Sequence, residues 1–426
     1  MMDVERFSKE RGEPAWMRRL RVKALKKFYE LEEPEGIEVD FDELEYYTPH
    51  QKVGSLEEVP KEVRKVFDKL GLPEFERKML AGISLQTDST VIYEDALRKF
   101  EEKGVIVEDM DVAIRKYGWL KNYFMKLIPY DLHKFAALHT ALWSGGVLVR
   151  IPKGVKVDLP IQAFILINRG KISQFEHNII IAEEGSKVHF IEGCSAPIFS
   201  KVSIHSGMEE VYVGRNANVH ITTLQNWTKN VKNYPTKRYL VEEGGRLRLL
   251  SAMLGSKHTI LYPTTILKGK NARVECLGIS FVDGKRVVET GANVIHLGKG
   301  TRSKLVSRSV VKDEGISKFK GKIKVVKGAK DSVGFMKCDS LLLSKKAKSE
   351  TIPQLYTEEE SVELNHEART GRIGEEELFY LRSRGFEEDE AISLLVNGFF
   401  EPIMRNIPFE YAIEIRKLIE LSIKGL

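Results

Sequence analysis

Three kinds of metal ligand come together near the C-terminal end of this sequence. Cys338 lies in Lys337-Cys338-Asp339-Ser340-Leu341, and His366 and Glu367 follow in Asn365-His366-Glu367-Ala368. Thiolate, imidazole and carboxylate are soft, borderline and hard ligands. Thiolate is the usual ligand of an iron–sulfur cluster, and imidazole can replace it. One chain is short of the four ligands that a closed cluster needs. A cluster here would be under-ligated, labile or shared across a subunit interface. His366 and Glu367 are adjacent, so in a regular strand they point to opposite faces and meet at one metal only at a bend or bulge. Taken alone, His366 reads as a satisfied histidine rather than a ligand. The charged neighbours Lys337 and Asp339 suggest an exposed or interfacial Cys338.

The chain has three cysteines, Cys194, Cys276 and Cys338, and no CxxC. That excludes a preformed zinc knuckle or ferredoxin motif, and the odd count argues against a disulfide framework. Cys276 reads as a buried small hydrophobe. No GKS or GKT occurs, so no Walker A loop is present; GxSxG and HExxH are absent too. A polysaccharide-cleaving enzyme would need carboxylates clustered on one exposed face, and no Asp-rich strand supplies them.

The elements that must carry these residues fall into three blocks. The 426 residues are 42% hydrophobic and 30% charged, a globular profile, with no apolar run able to span a bilayer. The N-terminus lacks a signal-peptide core, so the expected location is cytoplasmic, with no membrane partner. Residues 1–140 read as mainly helical. A basic amphipathic helix opens at Pro14-Ala15-Trp16, and further helices are expected over 61–70, 72–82, 94–103 and 109–127. Its charged face reads as solvated, with the apolar face packed on its own domain.

From 141 to 370 the apolar period changes to two, in short strands such as Lys187-Val188-His189-Phe190-Ile191 and Ala272-Arg273-Val274-Glu275-Cys276. A sandwich, a barrel or a β-solenoid could hold them. Turns such as Glu184-Gly185-Ser186 and Lys268-Gly269-Lys270-Asn271-Ala272 recur before similar strands. Their small polar residues suit solenoid corners, and the helices fall at the ends, where caps belong. Residues 299–348 carry fifteen Lys/Arg against four Asp/Glu. These lysines alternate along strands without interleaved aromatics. They read as a solvent face that blocks edge aggregation, not as a nucleic-acid track. Residues 371–426 return to helix in three segments, with stops expected at Gly385 and at Asn397-Gly398. The apolar surplus at Leu395, Val396, Phe399 and Phe400 fits either a docking surface or packing on the β core.

Ordered motifs along most of the chain resemble the SufB/SufD scaffold family of iron–sulfur cluster assembly. They include Glu13-Pro14-Ala15-Trp16-Met17, Lys78-Met79-Leu80-Ala81-Gly82, Glu192-Gly193-Cys194-Ser195-Ala196-Pro197 and Gln225-Asn226-Trp227. They continue through His296-Leu297-Gly298-Lys299 and Cys338-Asp339-Ser340-Leu341-Leu342 to Val396-Asn397-Gly398-Phe399. The resemblance implies a mainly β chain, a right-handed parallel β-helix core flanked by N-terminal and C-terminal helical domains. It implies a non-enzymatic scaffold working with a SufC-like ABC ATPase, which supplies ATP hydrolysis and docks on the C-terminal helices, where Phe379, Tyr380, Leu394, Leu395 and Phe399 lie. By this likeness Cys338, His366 and Glu367 hold a transient iron–sulfur cluster, and Cys194 receives sulfur from a donor. Gln225, Trp227 and Lys237 would line the route between them through the β-helix. Cluster acceptors would be transient apoprotein partners, and a bound flavin is left open.

The chain departs from SufB at Asn365, Ala347 and Leu166, where glutamate, cysteine and arginine are usual, and elsewhere resembles SufD. The expected assembly is a homodimer sharing one cluster, or a SufB/SufD-type heterodimer. The alternative is a SufD-like partner that holds no cluster, although SufD typically lacks the cysteine at 338.

Overall fold

The computed structural model describes residues 3–33, 37, 83–87, 100–166, 173–195, 203–407 and 409–424. The helices expected over 61–70 and 72–82, most of that over 94–103, and the Lys78–Gly82 motif lie outside these.

Period-two patterning produces a parallel β-solenoid. Among the described residues its first wall is a nine-stranded sheet. Its regular ladder stacks Lys187–Ser195, Asn218–Asn226, Arg246–Met253, Arg273–Val282, Arg302–Val311, Val333–Leu342 and Glu363–Arg372 in register. The opposite wall starts as two files of short strands. One ends at His258–Leu261 and the other at Thr264–Leu267, and both pair with the single long strand Val287–His296. That strand continues into Ile316–Val325 and Lys348–Thr357. Alternate side chains of both walls meet inside, where Val188, Val219, Leu247, Val274 and Ile323 form one apolar cluster. Burying these rows drives the stacking.

The corners explain why the turns recur. Asn216, Gly244, Asn271, Gly300 and Asp331 all take positive φ. Gly, Asn and Asp tolerate that conformation better than other residues. After most of them comes a small buried residue, such as Ala217, Ala272, Thr301 or Ser332. The lysine row behaves as a solvent face. Lys318 and Lys320 both reach Glu289, Lys324 pairs with Glu358, and Lys322 lies over the Tyr356 ring.

At the N-terminal side, helix Ala15–Glu30 packs on helix Lys134–Leu142 with Met17, Ala24 and Phe28 buried. Arg21 is buried as well. Its guanidinium pairs with Glu13 and donates to the Ala141 and Trp143 carbonyls. The helix expected over 109–127 stops early. It spans Met110–Lys116, and a 3-10 turn follows over Gly118–Asn122. Further on, the Glu210 carboxylate accepts from the backbone N–H of Met125, Leu127 and Ile128, where the expected helix would have continued. Those donors are then lost to a helix, and Met125 sits at positive φ.

Of the C-terminal helices Glu375–Ser383, Glu388–Met404 and Phe409–Ile423, the last two fold back along the outer face of the first wall, and the first, with no buried residue, packs on the second. Glu387 and Glu390 make a capping box where the acidic run predicted a start. The second helix does not stop at Gly398. Val396, Phe400 and Ile403 pack on Leu250, Leu277 and Ile279. That burial outweighs the ~1 kcal/mol that glycine costs inside a helix. Among the described residues, no helix is long and apolar enough to cross a membrane.

Candidate functional site

Alternation decides which way each candidate side chain points. Along Lys187–Ser195 the inward positions are Val188, Phe190, Glu192 and Cys194; along Asn218–Asn226 they are Val219, Ile221, Thr223 and Gln225. Registered pairing carries these positions from strand to strand. Glu192 leads to Thr223, Ser251, Gly278, Ser307 and Cys338. Cys194 leads to Gln225, Met253, Ser280, Ser309 and Ser340 along the neighbouring row. Five strand-to-strand steps separate the Cys194 and Cys338 strands, or ~24 Å at ~4.8 Å per step. Small and hydroxyl side chains dominate both rows, so the interior is not filled throughout. A cavity of about 50 Å³ lies along it, with Thr223, Lys237, Ser251, Cys276, Gly278 and Ser307 in its wall. Cys276 is buried as expected, and its apolar setting pushes the thiol up to about 12.

At one end the buried groups are strongly polar. Cys194 is 3% exposed, and its sulfur accepts from Gln225 Nε2 at 3.0 Å. Gln225 Oε1 accepts from Trp227 Nε1 at 2.5 Å and from Asn233 Nδ2 at 3.2 Å. Lys237 Nζ donates to Glu192 at 2.5 Å and to Thr223 at 3.0 Å, and lies 3.6 Å from Glu209. Burial raises the Cys194 thiol well above its ordinary range, and the charges of Glu192 and Glu176 add to this. Burial would lower Lys237, but the carboxylates of Glu192 and Glu209 outweigh it and hold the ammonium charged. Glu176, Glu192, His205, Glu209 and Asn233 were not singled out from the sequence. A signal for Glu192 existed: a glutamate in the apolar phase of Val188-x-Phe190-x-Glu192-x-Cys194.

At the other end lies the Cys338 group. Cys338 is 2% exposed and turned inward, its sulfur 3.4 Å from Thr351 Oγ1 on the facing wall. The charges of Lys337 and Asp339 suggested exposure, but in a strand they occupy the opposite face from Cys338. Burial raises the thiol. His366 pairs in register with Met336, so it shares the inward face of Cys338 and is its diagonal neighbour, exposed on the last strand. Glu367 pairs with Lys337 on the outer face and accepts from its Nζ at 3.0 Å. Glu363–Arg372 is a regular ten-residue strand, and its unbroken register holds Glu367 away from His366. Among the described residues, no three His, Cys, Asp or Glu side chains are placed to hold a metal ion.

Lys348–Thr357 and Glu363–Arg372 each have a strand partner on one side only among the described residues. The C-terminal helices lie along the wall and leave this end of the solenoid uncovered. Of the residues expected to dock a partner, Phe379 is 74% exposed and Tyr380 and Leu394 are exposed too; Leu395 and Phe399 are half-buried. Phe399 packs beneath the Arg308 guanidinium. The backbone of Leu166 pairs with Ser195, and its side chain lies outside the description.

Residues 164–399 match the family model described as SUF system FeS cluster assembly, SufBD core domain. A Staphylococcus saprophyticus protein named as an iron–sulfur cluster assembly SufBD family protein is 41% identical over 99% of this chain and 92% of its own length. A Staphylococcus epidermidis protein of the same description is 42% identical over the same shares. A match over most of the solenoid, with similarity along nearly the whole chain, means that the chain belongs to the SufBD family of iron–sulfur cluster assembly proteins.

Proposed function

We propose that this chain is a scaffold on which a nascent iron–sulfur cluster is built, with sulfur entering at Cys194 and iron and sulfur meeting at Cys338. The observation that carries this reading is the shared inward face of one registered ladder, which joins the Cys194 end to Cys338 through Thr223, Ser251, Gly278 and Ser307. Gln225, Trp227 and Lys237 guard the entry, where their donors suit a sulfur anion. Water is excluded by burial, which protects reactive sulfur on the way.

Cys338 and His366 supply two ligands on one face, and Glu367 reaches them only after rearrangement. Pairing of two chains through the uncovered Lys348–Thr357 and Glu363–Arg372 edges brings two such pairs together. A twofold axis there suits a homodimer, and a SufB/SufD-type heterodimer uses the same edges. A SufC-like ABC ATPase docks on the C-terminal helices through Phe379, Tyr380 and Leu394. Its closure shifts the paired scaffolds and exposes the buried Cys338. The chain itself is not an enzyme, and it acts in the cytoplasm. The cluster is cargo that leaves for an apoprotein.

The test is iron and acid-labile sulfide content after anaerobic reconstitution, comparing wild type with Cys338→Ser, with and without the ATPase. Loss in the variant supports assembly at Cys338. A cluster retained in full moves the site elsewhere. No cluster in either protein favours a SufD-like structural partner.

A further inference from the structure

A chain of hydrogen bonds leads away from Cys194 and its direction is not arbitrary. Trp227 Nε1–H can only donate, and it lies 2.5 Å from Gln225 Oε1, which identifies that atom as the carbonyl oxygen. The Gln225 amide nitrogen therefore faces Cys194 and donates to its sulfur. The same Gln225 oxygen takes Asn233 Nδ2–H, so Asn233 Oδ1 faces His205 Nδ1 at 2.7 Å and must accept. His205 Nε2 in turn lies 2.5 Å from Glu176 Oε1. With Asn233 Oδ1 accepting at Nδ1 and the Glu176 carboxylate at Nε2, the surroundings favour an imidazole protonated on both nitrogens. Burial opposes that charge on His205, and the neighbouring Glu176 carboxylate, with bonds from Glu176 and Asn233, outweighs it. From His205 Nδ1 through Asn233 and Gln225 the donors all point toward the sulfur, while Nε2–H is anchored on Glu176, and such bonds polarise one another.

We propose that Glu176, His205 and Asn233 form a one-way donor chain through Gln225 that holds a sulfur anion at Cys194, which makes His205 a positioning residue for loading Cys194 with sulfane sulfur. This rests on the reading of Cys194 as the entry point. Several buried polar atoms at this end of the solenoid lack partners among the described residues. Gln174, one strand before His205 in the same inward row, is buried, and among the described residues neither its amide oxygen nor its nitrogen has a partner. Glu176 Oε2 and Glu209 Oε2 are likewise unpartnered there. Gly207 leaves room for the dyad, since a Cβ at that position would collide with Glu176 Oε1.

The loading step balances without an outside oxidant. A donor persulfide R–S–SH presents its terminal sulfur to Cys194. The Cys194 sulfur forms the new S–S bond, the donor S–S bond breaks, and its electron pair leaves on the donor sulfur, which takes the proton that Cys194 releases. The resting thiol is held protonated by burial and by Glu192 and Glu176, against Lys237 and Gln225. The product persulfide ionises more readily than a thiol, and its anion is what the donor chain stabilises. Glu209 acts on this balance through Lys237.

The test treats the full-length protein with glutathione persulfide on either side of neutral pH, traps persulfides by alkylation and quantifies each cysteine peptide by mass spectrometry. His205→Gln is expected to lower loading at Cys194 about tenfold near neutral pH, the scale of one charge-assisted hydrogen bond, and to move its pH profile upward. Cluster formation from inorganic sulfide, which bypasses the entry, stays unchanged. Glu176→Gln, which keeps the shape, shifts loading in the same direction and decides the matter if His205→Gln does not fold. Loading within about twofold of wild type, with an unmoved pH profile in a folded variant, overturns the donor chain while leaving the scaffold reading intact. A wild-type protein that never loads Cys194 overturns the entry reading and the donor chain with it, whereas the iron and sulfide measurement at Cys338 would still stand.

Discussion

Replacing Lys237 by methionine should expose how much the polar end of the solenoid costs to keep. Lys237 Nζ lies between two buried carboxylates, 2.5 Å from Glu192 and 3.6 Å from Glu209. Glu192 also takes Asn178 Nδ2, and Glu209 takes the Tyr239 hydroxyl. These bonds remain in Lys237→Met, but the two buried carboxylates then lose the ammonium between them. Breaking a buried pair from one side costs ~3–5 kcal/mol, a large part of a domain's ~5–15 kcal/mol. Urea unfolding followed by tryptophan fluorescence reports it, because Trp227 sits beside this network. With m near ~3 kcal/mol/M the midpoint should fall by ~1 M or more. Adding Glu192→Gln and Glu209→Gln should recover most of the loss, since a neutral core often replaces a buried pair without penalty. The sign with pH follows from burial, which already raises Glu209. A carboxylate raised in the folded state costs nothing while protonated in both states, and its cost grows as pH rises from the ordinary carboxylate value toward the raised folded value, above which it is constant. The deficit should therefore be largest at neutral and alkaline pH and shrink toward the ordinary carboxylate range. A midpoint within ~0.3 M of wild type at neutral pH would refute the argument.

Three further outcomes are expected. Glu210→Gln weakens the acceptor that holds Met125, Leu127 and Ile128, and should cost ~1.5–3 kcal/mol and speed proteolytic nicking in that loop, read by limited digestion. His296 is fully buried between Thr301 and Ser303, and burial lowers it to about 4. Its neutral form is thus favoured by folding, so stability should fall as pH drops below the ordinary histidine value, by ~1.4 kcal/mol per unit until the folded value is reached; His296→Asn should flatten that limb in urea titrations at several pH values. Phe379→Ala with Tyr380→Ala should leave the urea midpoint almost unmoved, since both rings are exposed, yet weaken binding of a SufC-like ATPase by more than ~1 kcal/mol in calorimetry.

Much of the architecture was legible because a solenoid repeats one simple instruction. Apolar period two with turns of small polar residues announces strands and corners, and the turn expected at Lys268–Ala272 is a corner whose Asn271 takes positive φ, as Asn216 and Asp331 do at others. Local signals failed where a distant residue competed for the backbone. The last part of the segment expected as helix, around Met125 and Leu127, instead gives its N–H groups to Glu210. At Asn397-Gly398 a stop signal was overruled by apolar area on Leu250 and Leu277. In both cases a contact remote in sequence exceeded a local preference of about 1 kcal/mol.

The candidate residues divide along the same line. Strand periodicity alone separates His366 from Glu367 and places Glu192 on the face of Cys194, because consecutive side chains alternate. Motif likeness marks Cys194, Gln225, Trp227, Lys237 and Cys338. No local signal says that Cys338 is enclosed, that Thr351 faces it, or that His205 joins Cys194 through Asn233 and Gln225. Those contacts cross between the walls of the solenoid. They depend on how the strands stack in register, and the rows that align only once the chain has wound upon itself are set by burial summed over many strands, not by the residues at any one of them.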